Sequence, residues 1–161
     1  MIFILTLLLS LYMGWSMGAN DAANCVGADI GSGVMKLKHG IIITILFSFL
    51  GAILFGSNVI KTIGKGVVPL NVLPQDIASL ISLVSLFGAG TWITIATYKK
   101  YPVSTSHSIV GAIWGIGFHK GVKAINFKLA KEIILTWALI PLISGIISYG
   151  VIKILLFFIG G

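Results

Sequence analysis

Of the 161 residues, 57% are apolar and only 9% are charged, and the formal net charge is +7. An ordinary soluble domain carries about 25% charged residues, so this chain lacks the polar surface of a water-soluble enzyme or a nucleic-acid-binding domain. The apolar runs are continuous, as over residues 40–60, where an outer-membrane barrel would alternate polar and apolar positions. The composition therefore predicts an all-α polytopic membrane protein, not an enzyme. All 11 basic residues are lysines, and most of them sit between apolar runs. That is the pattern of loops at a membrane surface rather than of a nucleic-acid-binding face.

In chain order, the first apolar run covers residues 2–18, and small residues carry it on over 20–35. A single straight helix over both would be roughly 50 Å long, against a hydrocarbon core of roughly 30 Å, so a break is expected near Gly18–Asn20. The apolar start has no basic residue before it and leads directly into polar residues, so it reads as a retained helix and not as a signal peptide. Residues 40–60 form a clean span, and residues 61–75, with Pro69 and Pro74, form a surface loop. A third span covers 76–98 and is stopped by Lys99, Lys100, Tyr101 and Pro102, because proline disfavours helix at and just before itself. Residues 103–118 make a piece too short to cross alone, expected to pair with the third span as a re-entrant hairpin. A basic interfacial stretch follows over 119–131, and the last span covers 132–159, with a kink expected at Pro141. The chain is thus read as one transmembrane domain, 1–161.

Residues 26–33 and 110–117 agree at five of eight positions. Each copy carries a GxxxG pair, Gly27/Gly31 and Gly111/Gly115, of the kind that lets membrane helices approach closely. Each copy also follows a cluster of polar side chains. The first cluster holds Asn20, Asp21 and Asn24. Asn20 and Asn24 share one helix face, and Asp21 lies beside Asn24. An ionised aspartate in hydrocarbon costs about 2.5–3.5 kcal/mol on the gentlest scale, so Asp21 needs a cavity, a cation or a partner. Two carboxamide oxygens and a carboxylate suit Na⁺, and Asp21 is equally able to carry a proton. The bland alternative is a helix cap, which Asn and Asp also favour.

The second cluster is Ser104, Thr105, Ser106 and His107. With Ser104 as N-cap, the next three residues form a first helical turn whose free N–H groups, hydroxyls and imidazole suit an oxyanion. A Ser/His hydrolase dyad is disfavoured, since no orienting acid and no nucleophile elbow accompany it. An anion beside Asp21 would be repelled by roughly 4 kcal/mol at 4 Å and an effective dielectric of 20 unless a cation bridges the two. Bound cation should then favour bound anion, and the reverse.

These residues resemble the inorganic phosphate transporter (PiT) family. The stretch from Gly18 to Asn24 is similar to its GANDxAN signature, and Pro102 to His107 to its P-[VI]-S-T-T-H signature. Phe49 to Ala52, Gly66 to Val68, and Trp137 with Pro141 also fit, so the likeness covers nearly the whole chain. Ser106 stands in place of a second Thr, and Ser48 where the family often has Glu. The resemblance implies an inverted-repeat symporter of inorganic phosphate in the cell membrane, coupled to sodium or protons, with no further cofactor. Family members carry each signature twice, and this chain carries each once, so it resembles a single repeat. It implies phosphate at Ser104, Thr105, Ser106 and His107, and the coupling cation, sodium in particular, at Asn20, Asp21 and Asn24. A second inverted copy, from another chain or a longer gene, would meet this one through Gly27, Gly31, Gly111 and Gly115. The alternatives are a permease for sulfate or another tetrahedral oxyanion, and a non-transporting remnant or assembly subunit.

Overall fold

A computed structural model describes residues 2–61, 73–120 and 126–159, leaving out the side chain of Lys120. Among the described residues there are five α-helices and no strand: α1 (Ile2–Gly31), α2 (Leu37–Lys61), α3 (Gln75–Tyr98), α4 (Thr105–Lys120) and α5 (Phe127–Ile159). Four of them, α1, α2, α3 and α5, are long and apolar enough to cross a membrane. The 16 residues of α4 reach only about 24 Å and do not span. Most of the expected 61–75 loop, including Lys65, Gly66 to Val68 and Pro69, lies outside the described residues, as does part of the basic 119–131 stretch.

The chain divides into two units, Met1–Ile125 and Asn126–Gly161. In the first, α1 and α3 run parallel, as successive contacts of Tyr12 with Thr94, Ser16 with Thr94, and Asn20 with Thr97 require. The close approach occurs at Gly90, where an added Cβ would stand 2.9 Å from a ring carbon of Tyr12. α4 folds back on α3, and both meet α1 in a small apolar core of Met13, Ala89 and Ile93, flanked by Val103, Ile109 and Ala112. α2 returns beside the end of α1, with Gly40 against Val26 and Ile30. The outer faces of these helices carry large exposed apolar side chains, as lipid-facing surfaces do. The second unit is α5, capped by Asn126, whose side chain accepts the Leu129 N–H at 3.2 Å. Its helix starts five residues earlier than expected and continues through Pro141.

One expectation is corrected. There is no break near Gly18–Asn20: α1 is a single helix of 30 residues. Asn and Asp there offer a cap for a helix end, but Asn20 spends its hydrogen bonds on α3, the α3–α4 turn and Asn24 and leaves its own backbone ladder intact. The length is accommodated at the other end. Gly40, where the continuous apolar run of α2 begins, is level with Val26 and Ile30, so only about 36–42 Å of α1 needs to lie within the bilayer. A helix longer than the hydrocarbon core is accommodated by tilt or by local thickening of the bilayer. The α3–α4 hairpin has the form expected of a re-entrant pair: its turn meets α1 at Asn20, about 9–15 Å short of that level.

Gly90 and Gly88 differ in a way that tests this packing. Gly90→Ala should destabilise the protein by about 1–3 kcal/mol, because the added methyl would stand 2.9 and 3.1 Å from ring carbons of Tyr12, whose hydroxyl is held by Thr94. Gly88→Ala meets open space and should be neutral or stabilising. Denaturant unfolding of both variants in detergent measures the contrast.

Candidate functional site

The site is organised by a buried carboxamide. Asn20 is 4% exposed, and both its donors and both its acceptor directions are in use. Its Nδ2 donates to Thr97 Oγ1 at 2.9 Å and to the Tyr101 carbonyl at 3.2 Å. Its Oδ1 accepts the Val103 N–H at 3.2 Å and the Asn24 amide at 3.3 Å. Thr97 can accept because its own proton goes to the Ile93 carbonyl, 2.8 Å away. One side chain from the middle of α1 thereby fixes the last turn of α3, the connecting turn and the approach to α4.

Asp21 follows on the same helix and is half-buried. Its Oδ2 accepts the Thr105 hydroxyl at 3.1 Å, and Asn24 Nδ2 lies 3.5 Å from its Oδ1. Both of these donors are neutral. Asn24 spends only its amide nitrogen on Asn20 and Asp21, and among the described residues no hydrogen bond to its carboxamide oxygen is formed. The aspartate and this carboxamide are the hard-oxygen groups of the first cluster that Asn20 leaves unused.

The start of α4 is capped as the sequence predicts. Ser104 Oγ accepts the His107 N–H at 3.3 Å and is also hydrogen-bonded to His107 Nδ1. The Ser104 carbonyl takes the N–H and the hydroxyl of Ser108. With His107 N–H engaged, Thr105 and Ser106 hold the two backbone N–H groups of the first turn that have no intrahelical acceptor. Ser106 and His107 are exposed, and His107 borders a groove with Trp92, Val103 and Ser104. The two polar clusters therefore touch, and the contact runs through Thr105. Beside Asn20, a cavity of about 480 Å³ is lined by Asn24, Thr97, Lys100, Tyr101 and Pro102 among others.

Gly27, Gly31, Gly111 and Gly115 are exposed, and a methyl group on any of them would meet no atom within 4 Å. The first unit thus does not use them for its own packing. Sequence reasoning missed Thr97, and also Tyr12, Ser16 and Thr94, whose hydroxyls form a small polar cluster between α1 and α3. A signal for them existed: Tyr12, Ser16, Asn20 and Asn24 recur every four residues along one face of α1.

The fold and the site define a multi-pass helical membrane protein with a polar centre built on a helical hairpin. The profile of the phosphate transporter family matches residues 17–160, and the chain belongs to that family. A Pyrococcus abyssi protein carried under the name of a phosphate permease is 38% identical over 152 residues, covering 93% of this chain. The chloroplastic inorganic phosphate transporter 2-1 of Arabidopsis thaliana is 36% identical over 151 residues, covering 92% of this chain and 26% of that protein. A solved structure titled as the sodium-dependent phosphate transporter superposes with a TM-score of 0.92 at 36% identity, covering 97% of this chain and 39% of that one. The chain spans about 38% of the length of the archaeal relative.

The clamp makes a local prediction. Asn20→Ala strands the Val103 N–H and the Tyr101 carbonyl at depth, so amide hydrogen exchange over residues 101–105 should accelerate by tenfold or more, for a loss of about 1–3 kcal/mol. Asn24→Ala should leave exchange there unchanged.

Proposed function

We propose that the chain is one half of a sodium-coupled symporter of inorganic phosphate. The observation that carries this reading is the Thr105–Asp21 hydrogen bond, which joins a cluster suited to a cation to a helix start suited to an oxyanion. Asp21 and Asn24 would offer oxygens to Na⁺, as hard-cation sites require. Thr105 and Ser106 would offer N–H and hydroxyl donors to phosphate, with His107 beside them, at the positive end of α4. Asn20 then acts by positioning, since its four hydrogen-bonding directions are already taken.

Coupling follows from charge. With Asp21 ionised and no cation, a phosphate dianion at Thr105 meets repulsion of roughly 4 kcal/mol per unit charge pair at 4 Å and an effective dielectric of 20. A sodium ion on Asp21 cancels that repulsion and draws the carboxylate away from the Thr105 hydroxyl, which turns to the phosphate. By linkage, phosphate raises sodium affinity by the same factor. Sodium is preferred to the proton because the similar solved transporter is titled sodium-dependent. Phosphate is preferred to sulfate because it retains a proton to donate to a carboxylate or carboxamide oxygen, which Asp21 and Asn24 supply.

A phosphate ion has four oxygens, and one hairpin surrounds only part of it. The remainder of the site would come from a second, inverted copy, held in another chain or in the rest of a longer protein. The open glycine faces of α1 and α4 are where close helix packing with that copy is expected.

Radiolabelled phosphate uptake into proteoliposomes tests the assignment. Asp21→Asn should abolish the dependence of uptake on a sodium gradient while the protein stays folded. Thr105→Ala should lower phosphate affinity about tenfold, the worth of one hydrogen bond to a charged group. Ser104→Ala removes a helix cap as well as a hydroxyl, so it should also cost about 1 kcal/mol of stability. Sodium-dependent uptake by Asp21→Asn at the wild-type level would defeat the reading.

A further inference from the structure

The turn between α3 and α4 holds a backbone conformation that its side chain does not favour. Lys100 has φ 62°, and among the described residues no other non-glycine residue has a positive φ. The conformation is imposed by the helix ending: the Lys100 N–H bonds to the Thr97 carbonyl at 2.9 Å, and the Tyr101 N–H to the Ala96 carbonyl at 2.8 Å. That pair of bonds requires a left-handed residue between them, and glycine supplies it without a Cβ penalty. Lysine has no such advantage, and the positive charge that favours a helix C-terminus is already supplied by Lys99, at φ −83°.

Depth gives a second observation. The Tyr101 carbonyl, next to Lys100, is bonded to Asn20. Asn20 lies six and ten residues before Val26 and Ile30, which flank Gly40 at the start of α2, just after Lys36, Lys38 and His39. The turn is therefore about 9–15 Å deeper than the level at which α2 enters its apolar run. A lysine anchored at that depth is costly unless its ammonium reaches water or an anion. The third observation is placement. Lys100 lines the cavity of about 480 Å³ that it shares with Asn20, Asn24 and Thr97, whereas Lys99 is not among its lining residues.

We propose that Lys100 is a specificity-determining residue for the transported anion: its ammonium, carried on a left-handed backbone position at the wall of this cavity, adds the positive charge that draws a doubly charged oxyanion towards the helix start at Thr105 and Ser106. This rests on the transport reading above. A lysine offers a compact charge with three rotatable donors, which serves an ion that arrives and departs better than a rigid fork would. Among the described residues that line the cavity, Lys100 alone carries a charge, and that charge is what the unfavoured backbone position supplies. Conformational strain of this kind persists where function requires the side chain.

Glycine separates the two roles of the residue. In the full chain in lipid nanodiscs, Lys100→Gly relieves the backbone and should hold or raise thermal stability. It should nevertheless lower the affinity for inorganic phosphate, measured by calorimetry at fixed sodium, by about tenfold. It should also flatten the fall of affinity with added choline chloride. Lys100→Arg should stay within about twofold of wild type, and so should Lys99→Gln, which removes the same charge one residue away. Lys100→Asn, which also tolerates the left-handed region, should lose affinity as the glycine variant does. Unchanged affinity and salt dependence in Lys100→Gly would overturn the assignment alone, as would an equal loss in Lys99→Gln. Absence of phosphate binding by the folded wild type would overturn the transport reading and this assignment together.

Discussion

The Asn20 carboxamide is the contact on which the remainder of the site depends. A chain that ends one helix and starts another inside a membrane leaves carbonyls and N–H groups without partners, and there is no water in hydrocarbon to satisfy them. Asn20 supplies partners for two of those groups, the Tyr101 carbonyl and the Val103 N–H, and grips Thr97 as well. The left-handed ending at Lys100 and the Ser104 cap satisfy others from within the turn. The hairpin is thus tied to α1 by polar bonds and to its core by the small contact set around Met13, Ala89 and Ile93. In lipid, where apolar packing between helices gains little from the hydrophobic effect, such bonds and close contacts at small residues set the geometry. Gly90 and Asn20 are two points on one α1–α3 seam, one steric and one polar.

This clamp explains a division of labour within a five-residue stretch. Asn20 faces α3 and is consumed by structure, Asp21 faces Thr105 on α4, and Asn24 lies between them with its oxygen to spare. Residues four apart share a face and residues three apart flank it, so one turn of helix presents the Asn20 clamp and two further oxygen-bearing side chains in different directions. The Thr105 hydroxyl donates directly to the Asp21 carboxylate.

The membrane class, the helical spans and the two polar clusters were legible in the sequence. A continuous apolar run of about 20 residues matches the thickness of a bilayer, and a charged or amide side chain inside such a run is too costly to be incidental. The Ser104 cap was legible because a serine after a proline-ended helix has a mechanical role. The continuity of α1 was not legible. Asn and Asp are good caps and good tertiary hydrogen-bonding groups alike, and only the position of α3 decides between them. Nor did spacing show that Asn20 and Asn24, which look equivalent at i and i+4, have unequal roles, because the difference lies in a carbonyl and an N–H more than 80 residues away. Lys100 looked like one of several loop lysines. Its backbone conformation and its place at the cavity wall, neither visible in composition, set it apart.

Reciprocal binding of cation and anion at the Asp21–Thr105 contact is the central claim. Calorimetric titration of the full chain in nanodiscs with phosphate, at a series of sodium concentrations, measures it directly. Phosphate affinity should rise with sodium, sodium affinity should rise with phosphate by the same factor, and potassium should not substitute. Phosphate affinity independent of sodium would contradict the claim.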